Sequence, residues 1–585
     1  MYEYTNNTYR HDIDLLKGLA IIAIVLYHAG WCKSGYLGVD VFLVISGFLI
    51  VPKVVRQIAD GQFCYWTFLE KRLFRLLPLV LLVNTFALAI GFWGMLPGDL
   101  RYLSEESIAA SVFGDNILEA IVTQNYWAAI YHKVLMHNWY LGVLFQFCIV
   151  FPLLLLLFRR RMKQALIAIT IISFLLYLLP IDSIGNKYYQ LPYRFFELPL
   201  GGLVAMKPSR SSRHLDFLFI LGIVLMIFIG AFTIGERAMP YNLVGGTNTI
   251  RESFLPRELI LLLTVLFTTL YIHYSDSGNQ ISRFAEQSKL VSPLGRMSLS
   301  VFLWHQPLIA FYRYFFADEL GLIPLVGIMA TTLLLSITTC QLIERKINIV
   351  SISRVCLVLF FLIVNAFALW IYRNDGIVRD VPELDLRKGV KPLMTFEQYT
   401  DRIYQYDKEF SEEDTRQRIL VIGNSFARDF ANILLESSDS AHIQLSYHYV
   451  IDDCPLNRVR QCDRIYFFGW KHDVPDVVWQ NLRPGVEIWG IGTKNHGTSN
   501  GIFYKNRYRS DYFDQRTAIN VDFHRVNRLL HEEWGDHYID LLNLTLQPDG
   551  TVPIFTPDHH FITYDGMHLT WAGANYYLQL LNFSN

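Results

Sequence analysis

Residues 1–375 are dominated by long apolar runs, and nothing constrains the fold more. Windows long enough to be helices crossing a hydrocarbon core of about 30 Å lie near 13–30, 37–55, 77–96, 139–158, 164–180, 194–206, 214–233, 258–273, 297–315, 320–342 and 355–373. Backbone polar groups must be satisfied internally in lipid, so such a chain can only be a polytopic helical membrane protein over this stretch. Charge follows the same division. Of the 51 Lys/Arg and 52 Asp/Glu residues, 53 fall in 1–375, where they are 14% of positions, and 50 fall in 376–585, where they are 24%. The second density is that of a soluble domain, typically about 25% charged. A net charge of −1 excludes nucleic acid bound by bulk basicity. The expected fold is thus a polytopic α-helical membrane domain of about eleven helices followed by a C-terminal soluble domain.

The opening window follows Asp12 and Asp14 and lacks a small-residue cleavage site, so it reads as a retained helix rather than a signal peptide. With a cytoplasmic N-terminus, loops after even-numbered helices face inward, and these carry Lys71-Arg72, Arg159-Arg160-Arg161 and Arg345-Lys346. That is the positive-inside pattern. An odd number of helices then places residues 376–585 outside the cytoplasm, in the periplasm or beyond. In that oxidising setting Cys454 and Cys462, eight apart, are read as a disulfide, with two free thiols as the alternative.

Ionisable side chains inside a membrane helix are functional candidates. In DIDLLKGLAIIAIVLYHAG, Asp14, Lys17 and His28 fall within about 60° of one another on the helix surface. His28 has the ordinary proton affinity of a general base near neutral pH, or it is an interfacial histidine. In FLEKRLFRLLP, Arg72 and Arg75 are spaced i, i+3 on one face. They suit a phosphate-bearing ligand, or serve as a positive-inside anchor. Glu197 in FFELPLGG needs a partner, and Arg194 at i−3 offers one.

These residues lie in a recognisable series: YRHDIDLLKGLAIIAIVLYHAG, GYLGVDVFLVISGFLI, KRLFRLLP, NWYLGVLFQFCIVFP, YRFFELPLGGLVA and GRMSLSVFLWHQPL. Over residues 9–345 the chain resembles the acyltransferase-3 family of membrane acyltransferases. The resemblance implies transfer of an acyl group, often acetyl, from cytoplasmic acyl-CoA to a carbohydrate at or beyond the membrane. It implies His28 as catalytic base and Arg72 and Arg75 as donor-binding residues. Lys17 stands where the family usually has Arg, with Asp14, Trp139 and Glu197 in support; Trp304 and His305 also match. Leu144 and Tyr140 replace the family's Glu and Ser, so any role of that carboxylate is absent here.

In the soluble part, RILVIGNSFARDFANILLES reads as a strand, a turn carrying Ser425, and an amphipathic helix. Near the C-terminus, FITYDGMHLTWAG holds Asp565 and His568. Together they supply a nucleophile, a base and an orienting carboxylate. Strand-like runs at 418–423, 464–468 and 486–491 fit a three-layer α/β domain with a parallel sheet. Over residues 416–580 this resembles the SGNH (GDSL-like) hydrolases, with Gly423-Asn424-Ser425 in place of G-D-S; Gly469 and Asn495 are the nearest oxyanion candidates. No metal-ligand spacing and no bound cofactor are expected, and acyl-CoA, acetyl-CoA in the simplest case, enters as donor substrate.

The expected organisation is a membrane domain at 1–345, an additional helix at 346–375, a linker at 376–415 and an external SGNH domain at 416–585. The combination looks like the bacterial O-acetyltransferases that modify lipopolysaccharide O-antigen or peptidoglycan. The expected partners are the bilayer, acyl-CoA and a lipid-linked or surface polysaccharide acceptor. Two other readings stay open: a membrane-anchored carbohydrate esterase whose helices are scaffold, and a non-enzymatic exporter of sugar-linked lipids.

Overall fold

The computed structural model describes residues 9–122, 133–179, 187–207, 212–228, 257–344 and 354–581. The expected Arg345-Lys346 loop lies outside them. The chain divides into two compact units, one helical and ending at Arg373, the other built mainly from Asn374–Asn585.

The helical unit contains α1 (His11–His28), α2 (Gly38–Ala59), α3 (Tyr65–Gly94), α4 (Trp139–Leu157), α5 (Met162–Leu178), α6 (Glu197–Ala205), α7 (Val291–Arg296), α8 (Ser298–Phe315), α9 (Leu322–Thr339) and α10 (Arg354–Arg373), with further helices at Arg213–Phe228 and Arg257–Tyr274. Every apolar window overlaps helix, which makes this a multi-pass membrane protein. Among the described residues, six helical spans are long and apolar enough to cross a bilayer, and two apolar helices are shorter. The difference from eleven has local causes. Asp12, Asp14 and Lys17 interrupt α1, polar side chains such as His305, Gln306 and Arg313 lie in α8, and the window at 194–206 is split between Leu191–Arg194 and α6.

Two devices hold this unit around its polar interior. Arg194, fully buried, donates a hydrogen bond to Asp40 on α2 at 2.6 Å and forms an ion pair with Glu197 on α6 at 2.8 Å. Its guanidinium also lies 4.6 Å from the centre of the Tyr188 ring and 6.0 Å from that of Trp139. A charge taken out of water needs this degree of pairing. The second device is Gly295 on α7, where a Cβ would lie 2.0 Å from the carbonyl oxygen of Asp14. Only glycine permits α7 to approach α1 this closely.

The second unit carries a five-stranded parallel sheet in the order β2-β1-β3-β4-β6, from β1 (Gln417–Ile422), β2 (Ile443–His448), β3 (Arg464–Phe467), β4 (Ile488–Ile491) and β6 (Tyr538–Ile539). The antiparallel pair β5 (Arg516–Ala518) and β7 (Thr551–Pro553) stands apart. Helices α11 (Ser425–Glu436), α12 (Val521–Trp534) and α13 (Trp571–Leu581) belong to the same unit. Near-continuous apolar strands such as ILVI and IYF suit a sheet covered on both faces. Because β2 and β3 flank β1 on opposite sides, the carboxyl end of β1 is the topological switch point, the usual ligand position in such sheets. The segment expected as a linker is built in: Tyr399, Ile403 and Phe410 join the core, and Arg402 pairs with Glu436 at 2.5 Å.

The expected disulfide is absent. Cys454 and Cys462 are free and buried, and the Cys462 thiol donates to the Val459 carbonyl at 3.2 Å. Each thiol is spent on packing, and burial pushes both up to about 12.

Candidate active site

In the helical unit, a cavity of about 220 Å³ opens among α1, α2, α3, α4, α7 and α8. Lys17, Arg72 and Arg75 line it as a group, joined by Lys53 and Arg296, which the sequence reading did not single out. Among the described residues none that lines it is acidic, and Leu144, where the family has Glu, is one of the lining residues. Asp14 lies beside the cavity: Lys17 Nζ is 3.8 Å from Asp14 Oδ1, while Tyr9 and Ser292 donate to Asp14 Oδ2 at 2.9 and 3.3 Å. Five cations line it among the described residues, with Asp14 beside Lys17 and Glu344 within electrostatic reach of Arg75. Such a group suits a multiply charged anion, and the arginines add forked geometry suited to phosphate.

One wall of the cavity is Tyr140 and Phe302, whose rings meet edge to face at 5.4 Å. Phe302 packs in turn against His305 and His137, at 5.7 and 5.3 Å between ring centres. His28, at the end of α1, is buried, with Nδ1 2.7 Å from His305 Nε2. Arg313 Nη1 donates to the His28 carbonyl at 2.7 Å and fixes that helix end. Trp139 and Glu197 are not in this cluster; they belong to the Arg194 ion-pair group. Lys17 and His28 sit about 16 Å apart along α1, from about 1.5 Å of rise per residue.

In the second unit, Gly423 at φ +131° makes the tight exit from β1. A Cβ there would crowd the Phe468 carbonyl oxygen at 3.0 Å. Asn424 caps α11, accepting from the Phe426 N–H at 3.0 Å, so half-buried Ser425 stands at the first helical position. Its hydroxyl and backbone N–H lie at the positive end of a helix dipole.

His568 Nδ1 donates to Asp565 Oδ2 at 2.6 Å, and Asp565 Oδ1 accepts from the backbone N–H groups of Met567 and His568 at 3.0 and 2.8 Å. Burial works against the charge on Asp565. The neighbouring imidazole and these hydrogen bonds outweigh it and hold the carboxyl down to about 2. Burial also opposes charge on His568, but the Asp565 anion prevails and raises it above the ordinary histidine value. Asp429, one turn after Ser425 on α11, accepts from the Leu569 N–H at 3.1 Å. The serine's helix and the histidine's loop are thereby joined at one corner of the unit. Lys494 Nζ completes the join, 2.7 Å from Asp429 Oδ2 and 4.1 Å from the centre of the Phe426 ring.

Neither Asp429 nor Lys494 was singled out in the sequence, where both resemble ordinary surface charges. Of the oxyanion candidates, Asn495 Nδ2 donates to the Gly497 carbonyl at 2.9 Å. Gly469 accepts from Trp534 Nε1 at 2.9 Å through its carbonyl, which is not the N–H an oxyanion would use. No group of three or more metal-ligating side chains occurs among the described residues.

Residues 10–341 match the acyltransferase domain family Acyl_transf_3. Among curated relatives, BcsY of Komagataeibacter xylinus, named as a membrane-bound transacylase, is 28% identical over 57% of this chain and 82% of its own length. The O-acetyltransferase OatA of Staphylococcus aureus is 28% identical over 56% of each chain, so the match spans just over half of that protein. No solved structure matches. The match covers more than half of the sequence and takes in every residue of the cationic cavity and the histidine cluster, so this chain belongs to the acyltransferase-3 family and is a membrane-bound acyltransferase.

Proposed function

We propose that the chain carries an acyl group, acetyl in the simplest case, from cytoplasmic acyl-CoA across a bacterial cytoplasmic membrane to a hydroxyl of a cell-surface carbohydrate such as O-antigen. One observation carries this reading: a cavity rich in cations, with no acid among its described lining residues, has an aromatic wall backed by His305 and His28. The phosphates of the donor bind Arg72, Arg75 and Lys17, with Lys53 and Arg296. Its long flexible arm runs the roughly 16 Å to His28, which acts as base in the first transfer.

The second unit is read as an SGNH domain outside the cytoplasm. Its strand order, the serine after β1 and the D-x-x-H pair support this. Ser425 passes its proton to His568 while its oxygen attacks the acyl carbonyl of the ester made in the first transfer. The bond from that carbon to the carrier oxygen breaks, His568 returns the proton to the departing carrier oxygen, and Asp565 holds the imidazole in place. A sugar hydroxyl then receives the acyl group. The names of the relatives support transfer, and OatA's supports acetyl as the group moved.

The test is mass spectrometry of surface polysaccharide from cells carrying wild type, His28→Ala or Ser425→Ala at equal protein levels. Both variants are expected to lose an acetyl-sized mass. A glycan unchanged in both rejects the transferase reading. Loss of esterase activity in Ser425→Ala alone, with His28→Ala fully active, supports an anchored esterase instead.

A further inference from the structure

We infer that His305 is a positioning residue that fixes the tautomer of His28, presenting the bare Nε2 of His28 to the reacting groups. The inference rests on the reading of His28 as the base and goes beyond it by assigning what makes that side chain a base at a defined atom.

A backbone carbonyl only accepts hydrogen bonds, so His305 Nδ1, 3.1 Å from the carbonyl of Val301 one turn earlier on α8, must carry its ring proton. In the neutral ring Nε2 is then bare and can only accept. His28 Nδ1 stands 2.7 Å from that nitrogen and must therefore be the donor. Neutral His28 is left with its lone pair on Nε2, an atom with no hydrogen-bond partner among the described residues. A backbone carbonyl thus dictates, through two rings, which nitrogen of His28 is basic.

The surroundings keep this order from reversing. The two imidazoles lie within 14° of parallel, so the bond is held in a defined plane. Phe302 and His137 pack at 5.7 and 5.6 Å from the His305 ring centre, and all three side chains are buried. A 180° flip of the His305 ring would put carbon atoms where Nδ1 and Nε2 now stand and lose the bonds to Val301 and to His28 together. Arg313 fixes the main chain of His28 through its carbonyl.

The arrangement resembles a metal- or serine-linked histidine oriented by an outer partner, with a neutral ring in place of the usual carboxylate. Protons then enter and leave at Nε2 alone. There His28 takes the proton of the accepting hydroxyl, the oxygen bonds to the acyl carbon, the carbon–sulfur bond breaks, and the same proton passes to the departing thiolate. His28 Nδ1 keeps its own proton on His305 throughout.

Membranes from cells expressing the full chain, supplied with acetyl-CoA, give initial rates of thiol release against donor concentration. His305→Leu removes the acceptor at similar volume. It is expected to lower kcat about 10- to 100-fold, the scale of one hydrogen bond to a charged partner, with KM for acetyl-CoA unchanged. His305→Gln places a carbonyl oxygen near the former Nε2 and is expected to restore kcat to within about threefold of wild type, a rescue that loss of packing would not show. Wild-type kcat in His305→Leu overturns the inference. So does equal inactivity of the Leu and Gln variants at equal membrane abundance, which would mean that the imidazole itself exchanges protons. His28→Ala run in parallel separates the two levels: full activity there removes the base, whereas loss there with His305→Leu unaffected removes only the positioning role.

Discussion

Asp565 shows how much a single side chain is asked to do. It accepts three hydrogen bonds, two from the backbone of the loop it stabilises and one from His568. Its anion raises the proton affinity of His568. A general base must be neutral, so acyl transfer through Ser425 is expected to fall as pH drops through a midpoint above the ordinary histidine value of about 6.5. Asp565→Asn removes the anion. The acid limb should therefore move to lower pH while the plateau rate falls by up to about 10,000-fold. A pH–rate profile of ester hydrolysis by the full-length chain in detergent checks both signs; an acid limb that stays in place would show that another group sets it. The D-x-x-H spacing made this pair legible in the sequence. Lys494 and Asp429 were not legible, because a lysine in GIGTKNHG and an aspartate in an amphipathic helix carry no mark of burial until β4 and α11 meet. Asp40 was missed for the same reason: its bond to Arg194 spans 154 positions.

At the scale of elements, hydrophobic windows located the long apolar helices of the membrane unit, since apolar length is written locally. What they did not reveal depends on neighbours. Strand β2, IQLSYH, mixes polar and apolar residues as an edge strand does and offers no continuous run. The 376–415 segment reads as polar linker until its few apolar residues find the sheet's core. The short helix α7 gains its importance from Gly295. A larger residue there must push α7 off α1, carrying Arg296 away from the cationic cavity. Gly295→Leu is expected to raise KM for acyl-CoA about tenfold, the effect of losing one strong ionic hydrogen-bonding partner, while leaving hydrolysis of a small soluble ester at Ser425 unchanged. Saturation curves for both substrates on one preparation test this, and parallel losses would point to global unfolding instead.

For the molecule as a whole, the composition breaks near residue 375, and the chain forms two compact units, the helical one ending at Arg373. The sidedness of the second unit rests on the parity of the spans and on the loop charges. A reporter active only outside the cytoplasm, fused after residue 376, should therefore be active, and a cytoplasm-specific reporter at the same point silent. The reverse result would separate the serine centre from any surface glycan.

The cavity lined, among the described residues, by five cations and no acid also bears on how a turnover would end. If acyl-CoA is the donor, as proposed, this cavity would hold its phosphate-bearing end, which chemistry at the distant sulfur leaves untouched. Free coenzyme would then bind about as well as the acylated form and should compete with it at similar strength. The ratio of acylated to free coenzyme in the cell, rather than the amount of either, would then set how heavily the surface is decorated. Initial rates at fixed donor and rising free coenzyme should show this competition, relieved when Arg72 and Arg75 are replaced by alanine.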